Sequence, residues 1–202
     1  MGRRRVIVIG AIAGYAIGSM PTAVWIARLS GIDLLQDGSG NPGANNARRL
    51  GGLRLAAAVL FVEMAKGALA VAAGSTLAGD AGAVAAGFGA VAGNVYNIWY
   101  GFRGGKGLGI AAGVILTIWP VGLVILLTTI ALGAIVTRSS GKATLITLVV
   151  AVIASLAWWL ADWDNAWGLP AGHLPAATIA ITSIITPKHL NDARADSEKT
   201  PV

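Results

Sequence analysis

GLGIAAGVILTIWPVGLVILLTTIALGAIV, residues 107–136, is a run of 30 residues without a charged side chain. As one straight α-helix it would be about 45 Å long, whereas the hydrocarbon core of a bilayer is about 30 Å thick. Trp119-Pro120, near the middle of the run, offers a break because proline lacks the N–H that a helix interior needs. The run therefore predicts two short helices, 107–118 and 121–137, in a membrane protein.

The rest of the chain has the composition of an integral membrane protein. Its 202 residues are 55% hydrophobic and 12% charged, which is far more apolar than a soluble domain. We therefore expect an all-α polytopic membrane protein of about seven transmembrane helices, some short or broken, in a single domain over 1–202 with a polar cytoplasmic tail at 187–202. The other five spans are predicted at 6–29, 53–74, 81–99, 143–161 and 170–186.

Composition also limits the kinds of site and partner that the protein can have. The chain has no cysteine, which excludes disulfides and thiolate nucleophiles. Its two histidines, His173 near the outer end of the last span and His189 in the solvated tail, give little material for a metal cluster. No basic helix face is interleaved with aromatic residues, so nucleic acid is not an expected partner. The formal net charge of +6 suits anionic headgroups and anionic substrates.

Two glycine-rich stretches interrupt the apolar runs. The first glycine stretch, 37–46, reads DGSGNPGANN and is followed by Arg48 and Arg49. Glycine and asparagine tolerate positive φ, so this stretch can turn backbone N–H groups toward an oxyanion. The second glycine stretch, 101–107, reads GFRGGKG and puts Lys106 where a helix is expected to begin. Backbone donors at a helix start and one ammonium group bind phosphate well, although either stretch could also be a simple turn.

Polar residues inside the predicted spans are further candidates. Glu63 and Lys66 are three residues apart, so they share a helix face and can pair. Ionisable groups at membrane depth are candidate functional residues, although Lys66 could instead extend to the headgroups with Glu63 as its counter-ion. Asn94 and Asn97 also share a face, where they either contact substrate or join helices.

The distribution of charge predicts an orientation. With seven spans and the N-terminus outside, the two sides of the membrane differ strongly in basic residues, which is typical of the positive-inside rule. This orientation puts both glycine stretches on the cytoplasmic side of the cell inner membrane. Only the cluster Arg3-Arg4-Arg5, which this orientation leaves outside, does not fit the rule. The cytoplasmic side receives Arg28, Arg48, Arg49, Arg54, Arg103, Lys106, Arg138, Lys142, Lys188, Arg194 and Lys199, and the other side receives Asp80, Asp162 and Asp164.

Several short motifs carry a resemblance to a known family. They are Gly18-Ser19-Met20-Pro21, Gly31-Ile32-Asp33, the run GSGNPGA at 38–44, Lys66-Gly67, FRGGKG at 102–107, and Asn191 with Arg194 and Glu198 near the C-terminus. In order and spacing over residues 15–199, they resemble the bacterial acyl-phosphate:glycerol-3-phosphate acyltransferase family. Phosphate-binding glycine stretches in a membrane protein agree with this resemblance.

The resemblance implies an activity and a set of site residues. The expected reaction moves a fatty acyl group from acyl phosphate to the 1-hydroxyl of sn-glycerol 3-phosphate, without a cofactor or metal, and yields lysophosphatidic acid and phosphate. The expected partners are the two substrates and membrane lipids. Catalytic roles are implied for Ser39, Lys106 and Asn191. Substrate or phosphate binding is implied for Gly38, Gly40, Asn41, Gly43, Asn46, Arg49, with Arg48 as the alternative arginine, Lys66, Gly104, Gly105, Gly107, Thr144 and Arg194.

Physical chemistry agrees with that reaction. An acyl phosphate is already an activated anhydride and needs no covalent enzyme nucleophile, and the chain offers no convincing catalytic triad. Lys106, Arg49 and backbone N–H groups can bring two anionic substrates together and stabilise charge that develops on the carbonyl and the leaving phosphate. The phosphate of the substrate itself would then accept the proton of the attacking hydroxyl.

The chain departs from the family pattern at several positions. Asn94 stands where histidine is usual, Glu63 where aspartate is usual, Asn45 where threonine is usual, and Leu35 where arginine is usual. A paralogue with another acyl acceptor therefore remains an alternative. So does a membrane protein that binds or transports a phosphorylated lipid or metabolite without chemistry, although the chain shows no clear inverted repeat.

Overall fold

The computed structural model describes residues 2–198, except the side chains of Arg3 and Glu198. The expectations for Arg3, Glu198 and Lys199 therefore lie outside the described residues. Over residues 2–198 the regular structure is helical, which confirms the all-α prediction. The helices are α1 (Arg3–Ser19), α2 (Thr22–Arg28), α3 (Ala44–Val95), α4 (Leu108–Ile118), α5 (Pro120–Thr137), α6 (Ser140–Leu160) and α7 (Leu174–Glu198), with short 3-10 turns at Ile98–Tyr100 and Ala171–His173.

These helices form two compact units. The first unit ends at Thr117 and contains α1 to α3, both glycine stretches and nearly all of α4. The second unit begins at Ile118 and contains α5, α6 and α7. The single domain expected from the sequence remains a prediction.

α3 consists of three helical segments. The backbone of Gly52 has a φ of 75° and that of Gly79 a φ of 58°, and Ala78, directly before Gly79, is also non-helical. These breaks separate the first segment (44–51), the middle segment (53–77) and the last segment (80–95). A Cβ atom on Gly74 would overlap the carbonyl oxygen of Gly82, so the chain reverses and the last segment packs along the middle one. This reversal agrees with the two predicted runs, 53–74 and 81–99.

Helix α1 packs closely along the last segment of α3. A Cβ atom on Gly14 or Gly18 would overlap a backbone carbonyl of that segment, and one on Gly89 or Gly93 would overlap a carbonyl of α1. Small residues let two helix backbones approach each other in this way inside a membrane. The close contact fixes the end of α1, where the Gly-Ser-Met-Pro motif lies, next to the second glycine stretch.

The predicted break at Trp119-Pro120 is present. α4 ends at Ile118, and α5 begins at Pro120 after Trp119, whose backbone is non-helical (φ −151°, ψ 69°). Proline suits the first position of a helix, where no N–H partner is required. Trp119 is fully buried and makes an edge contact with Trp158, with a distance of 5.8 Å between the ring centroids.

Four of the described helical stretches are long and apolar enough to cross a membrane. They are Arg4–Arg28, Ala44–Tyr100, Pro120–Thr137 and Ser140–Leu160. Because Ala44–Tyr100 contains the reversal at Gly79, it supplies two antiparallel segments. Leu108–Ile118 is apolar but shorter. The protein is therefore an integral membrane protein by its helices, and the exact number of seven spans remains a prediction.

Two boundaries differ from the sequence prediction. The predicted spans 6–29 and 53–74 leave residues 30–52 as a loop, but α3 begins at Ala44, so Asn46 and the arginines that follow lie on a helix. The polar tail was expected to begin at Pro187, but α7 continues through this proline to Glu198. As a result His189 is 2% exposed and is not a solvated tail residue.

Candidate functional site

Asn46 organises the first glycine stretch. Its side chain is 1% exposed, and its Nδ2 donates to the carbonyl oxygens of Leu34, at 3.1 Å, and Asp37, at 2.9 Å. Its Oδ1 accepts the N–H of Ser39 at 2.9 Å. Gly38 has a φ of 64°, and a Cβ atom there would overlap Asn46 Oδ1. The Asn46 amide, which the resemblance assigns to substrate or phosphate binding, is therefore engaged in shaping the loop.

The start of α3 supplies open hydrogen-bond donors. The first helical bond joins the N–H of Ala47 to the carbonyl of Gly43 at 3.0 Å, and no side chain caps this end. The N–H groups of residues 44–46 have no acceptor among the residues that the structure describes. Arg49 follows with an exposed side chain, as does Arg48. A helix start with unpaired donors and neighbouring guanidinium groups is suited to bind an anion.

The second glycine stretch uses its backbone differently from our expectation. The N–H of Gly104 donates to Val95 O and that of Gly105 donates to Asn94 O, both at 3.0 Å. These two donors connect the loop to the end of α3 and are not directed at a ligand. Glycine is required at 104 because a Cβ atom would overlap the Asn94 carbonyl oxygen.

The donors of this stretch lie instead at the start of α4. Gly107 has a φ of 82°, and its carbonyl accepts the first helical bond from Ala111 at 2.9 Å. Within the described residues, the N–H groups of positions 108–110 therefore precede the first hydrogen bond of the helix, and Lys106 lies two residues before the first of them. A cation beside the N-terminus of a helix forms a second anion-binding arrangement.

Glu63 and Lys66 form a buried ion pair in the first unit. They are 6% and 5% exposed, and Lys66 Nζ lies 2.9 Å from Glu63 Oε1. Lys66 also donates to Met20 O at 2.9 Å and to Thr22 Oγ1 at 3.3 Å, while Thr22 donates to Glu63 Oε1 at 3.2 Å. The Lys66 ammonium thus has three acceptors and links the middle segment of α3 to the break between α1 and α2.

The two asparagines at the end of α3 join helices. Asn94 Nδ2 donates to Glu63 Oε2 at 2.6 Å. Asn97 is 3% exposed, its Nδ2 donates to Ser19 O at 2.8 Å, and its Oδ1 accepts the N–H of Trp99 at 3.0 Å. Both ends of the Asn97 amide therefore join parts of the chain. In Asn94 the Nδ2 group does so.

Both glycine stretches border one cleft. Its wall includes Pro42 from the first stretch and Gly105 from the second. Glu63 and Lys66 line the cleft together with Asn94, Asn97 and Tyr100. The motifs that are separated by some 60 residues in the sequence therefore come together in the first unit.

The Ile-Asp motif before the first stretch is ordered by its carboxylate. Asp33 Oδ1 accepts the N–H of Leu35 at 2.9 Å, and its Oδ2 lies 3.1 Å from Arg28. The backbone N–H of Leu35, and after it the Arg28 guanidinium, hold the pKa of the Asp33 carboxyl below its usual range. The carboxylate therefore remains ionised and bonded wherever the pH is near neutral.

The remaining candidates lie in the second unit. Thr144 is 1% exposed and its hydroxyl donates to Ser140 O at 2.9 Å, while Asn191 and Arg194 are exposed on α7. Ser139 caps the start of α6 and donates to Asp196 Oδ2 at 2.6 Å, which fixes the end of α7 to the start of α6. Among the described residues, no group of three or more histidine and acidic side chains could hold a metal ion.

Sequence reasoning missed some of these residues. Thr22 directly follows the Met20-Pro21 motif and Tyr100 directly precedes the second stretch, so adjacency to a motif was the available signal. Ser139 and Asp196 are 57 residues apart and no pattern connects them.

Known proteins share this architecture and these motifs. The family model for glycerol-3-phosphate acyltransferase matches residues 8–195. The glycerol-3-phosphate acyltransferase of Synechococcus sp. (strain JA-3-3Ab) is 44% identical over 156 residues, which are 75% of this chain and 73% of that protein. The glycerol-3-phosphate acyltransferase of Cereibacter sphaeroides (strain ATCC 17025 / ATH 2.4.3) is 33% identical over 190 residues, which are 93% of this chain and 85% of that protein.

A solved structure agrees with the helical fold. The crystal structure of PlsY, an integral membrane glycerol 3-phosphate acyltransferase, in its glycerol 3-phosphate form matches with a TM-score of 0.75 and 25% identity. The match covers 93% of this chain and 90% of the PlsY chain. By its sequence motifs and its helical fold alike, the chain belongs to the glycerol-3-phosphate acyltransferase family.

Proposed function

We propose that the protein transfers a fatty acyl group from acyl phosphate to the 1-hydroxyl of sn-glycerol 3-phosphate, yielding lysophosphatidic acid and inorganic phosphate. The observation that carries this proposal is the single cleft bordered by Pro42 and Gly105, one from each glycine stretch. Two solved PlsY structures are described as a glycerol 3-phosphate form and a lysophosphatidic acid form, and these are the acceptor and the product of this reaction.

The two helix starts divide the binding of phosphate between them. One phosphate would bind the open N–H groups at residues 44–46, with Arg49, the exposed Ser39 hydroxyl and Asn41 as side-chain partners. The other would bind Lys106 and the N–H groups that begin α4. Two separate arrangements of cations and donors allow two anions to approach despite their mutual repulsion. Thr144, Asn191 and Arg194 are proposed as further substrate contacts on the family resemblance.

Charge stabilisation and alignment account for the chemistry. The 1-hydroxyl oxygen forms a bond to the acyl carbon, the bond from that carbon to the phosphate oxygen breaks, and a phosphate oxygen takes the hydroxyl proton. Lys106 stabilises the negative charge that grows on the leaving phosphate and on the carbonyl oxygen. The acyl chain remains among the apolar helices, which gives a physical reason for a reaction at the membrane. We propose the inner membrane, with the site on the cytoplasmic side.

The buried ion pair bears on the transport alternative. Ionisable residues at membrane depth would also suit a transporter of a phosphorylated lipid or metabolite, but Glu63 and Lys66 pair with each other and bond to neighbouring residues. Such a paired arrangement supports a structural role for the two residues next to a reaction site, and not a role in transport.

Purified protein tests the proposal directly. Phosphate release and lysophosphatidic acid formation are measured with acyl phosphate, with and without glycerol 3-phosphate, and with acyl-CoA as the alternative donor. We expect equal amounts of the two products, only when acyl phosphate and glycerol 3-phosphate are both present. Binding of both ligands without product would contradict the proposal, as would transfer from acyl-CoA alone.

A further inference from the structure

The end of α3 and the second glycine stretch are joined through the backbone. The last carbonyl groups of a helix have no partner within the helix, and here two of them accept hydrogen bonds from the stretch. The N–H of Gly105 donates to Asn94 O and that of Gly104 donates to Val95 O, both at 3.0 Å. Because Lys106 directly follows Gly105, the position of Lys106 depends on where the end of α3 lies.

The Asn94 side chain fixes that helix end to the rest of the first unit. Its Nδ2 donates to Glu63 Oε2 at 2.6 Å, and Glu63 is 6% exposed. Glu63 Oε1 in turn lies 2.9 Å from Lys66 Nζ, which donates to Met20 O at 2.9 Å. Hydrogen bonds to a charged group are stronger than those between neutral groups. Asn94 thus binds the buried ion pair with its side chain and the glycine stretch with its backbone carbonyl.

Glu63 also contacts the start of α4, on the other side of Lys106. A Cβ atom on Gly109 would lie 3.1 Å from Glu63 Cβ, so the middle segment of α3 packs directly against the first turn of α4. Lys106 lies between Gly105 and Gly109 in the sequence. One bonded pair of side chains, Asn94 with Glu63, therefore contacts the chain both before and after this lysine.

We propose that Asn94 and Glu63 are positioning residues, whose effect on acyl transfer passes through Lys106. The inference rests on the proposed function, in which Lys106 stabilises the leaving phosphate, and it adds two residues that hold this lysine in place. Catalysis by alignment is sensitive to small displacements, since a misplacement of about 1 Å can cost a large part of the rate. We therefore expect the pair to affect kcat much more than the KM for either substrate.

A double-mutant cycle separates positioning from a general loss of stability. Asn94→Ala removes the bond to Glu63 and keeps the backbone carbonyl that binds Gly105. We expect this substitution to lower kcat by roughly 10-fold to 30-fold in the wild-type background. In a Lys106→Ala background it should lower kcat by less than about twofold, because the residue through which it acts is already absent. Equal losses of kcat in the two backgrounds would overturn the inference.

The matched control is Ser155→Ala in the second unit. Ser155 is buried and its Oγ lies 2.8 Å from Thr178 Oγ1, so this substitution also removes a hydrogen bond between two helical segments. We expect a comparable decrease of the unfolding temperature in detergent, with kcat within about twofold of wild type. A loss of kcat in Ser155→Ala as large as that in Asn94→Ala would count against positioning.

Hydrogen exchange gives a second readout that needs no activity. Because the N–H groups of Gly104 and Gly105 are bonded, the segment 101–107 should exchange slowly in wild-type protein. It should exchange roughly tenfold faster in Asn94→Ala and at the wild-type rate in Ser155→Ala. Unchanged exchange in Asn94→Ala would overturn the inference. So would fast exchange in wild type, a result that does not depend on how any variant folds.

The two measurements also distinguish this inference from the proposed function. Absence of acyl transfer by the wild-type protein would refute the proposed function. The exchange of segment 101–107 would still decide whether the Asn94 side chain orders the second glycine stretch.

Discussion

Asn46 determines the form of the first glycine stretch through a single amide. Its three hydrogen bonds reach residues seven, nine and twelve positions earlier, so the loop and the helix start form one unit. Sequence reasoning assigned this residue to the anion site because of its neighbours, and it could not predict that both sides of the amide are engaged. Such bonds depend on the folded path of the chain and leave no local pattern.

Replacement of Asn46 should therefore disorder the loop. Asn46→Ala removes three hydrogen bonds and leaves the buried carbonyl of Leu34 without a donor, which costs roughly 2–4 kcal/mol of stability. We expect a lower unfolding temperature in detergent and a raised KM for glycerol 3-phosphate. The matched control is Asn45→Ala, since Asn45 is exposed and its side chain makes no hydrogen bond in the described structure. Equal effects of the two substitutions would contradict this role.

The Glu63–Lys66 pair makes a second prediction at the residue scale. Glu63→Leu leaves a buried ammonium without its counter-ion and should cost about 3–5 kcal/mol, whereas Glu63→Leu with Lys66→Met should recover most of that loss. Thermal unfolding of the three proteins in one detergent measures both effects. A double variant no more stable than Glu63→Leu would show that the pair is not a self-contained scaffold.

At the scale of the elements, the local sequence predicted the breaks between helices better than the residues at which helices begin and end. Trp119-Pro120 marks the start of α5 because proline affects the backbone wherever it lies. The start of α3 and the extension of α7 depend on contacts that are distant in sequence, such as Ser139 with Asp196. The sequence predicts that the tail starts at Pro187, yet α7 passes through this proline and packs its further residues on α6. A Cβ atom on Gly141 would meet the backbone of Ala193.

The close contact of α1 with α3 predicts opposite effects of two glycine substitutions. Gly14→Ala forces a Cβ atom against the carbonyl of Ala86, and the resulting separation of the helices should cost about 1–3 kcal/mol. At Gly10 the nearest atom to an added Cβ is 3.6 Å away. Gly10→Ala should therefore be neutral or stabilising by up to about 1 kcal/mol, because alanine favours helix. Unfolding in detergent measures both, and a stable Gly14→Ala protein would contradict the packing described.

For the whole molecule, hydropathy predicted the helical class correctly, because every long apolar run forms a helix. The motifs identified the two glycine stretches that border the cleft. They could not show which of the backbone N–H groups are open: those of Gly104 and Gly105 donate back to α3, and the open donors belong to α4. This distinction depends on the dihedral angles of a few residues, which composition and spacing do not determine.

The predicted orientation can be tested because the chain has no cysteine. Single-cysteine variants Ser30→Cys and Thr76→Cys lie at opposite ends of the first unit's spans, and both positions are exposed. An impermeant maleimide applied outside intact cells should label Thr76→Cys and label Ser30→Cys only after permeabilisation. The reverse result would put the glycine stretches on the outer side.

The most direct test of the central claim is the effect of Lys106 on turnover. Lys106→Ala should lower kcat for acyl transfer from acyl phosphate to glycerol 3-phosphate by roughly 10²–10³-fold, since it removes the charge that stabilises the leaving phosphate. Arg103→Ala, which removes an exposed cation from the same stretch, should remain within a few-fold of wild type. A Lys106→Ala protein that turns over at the wild-type rate would contradict the catalytic role of the second glycine stretch.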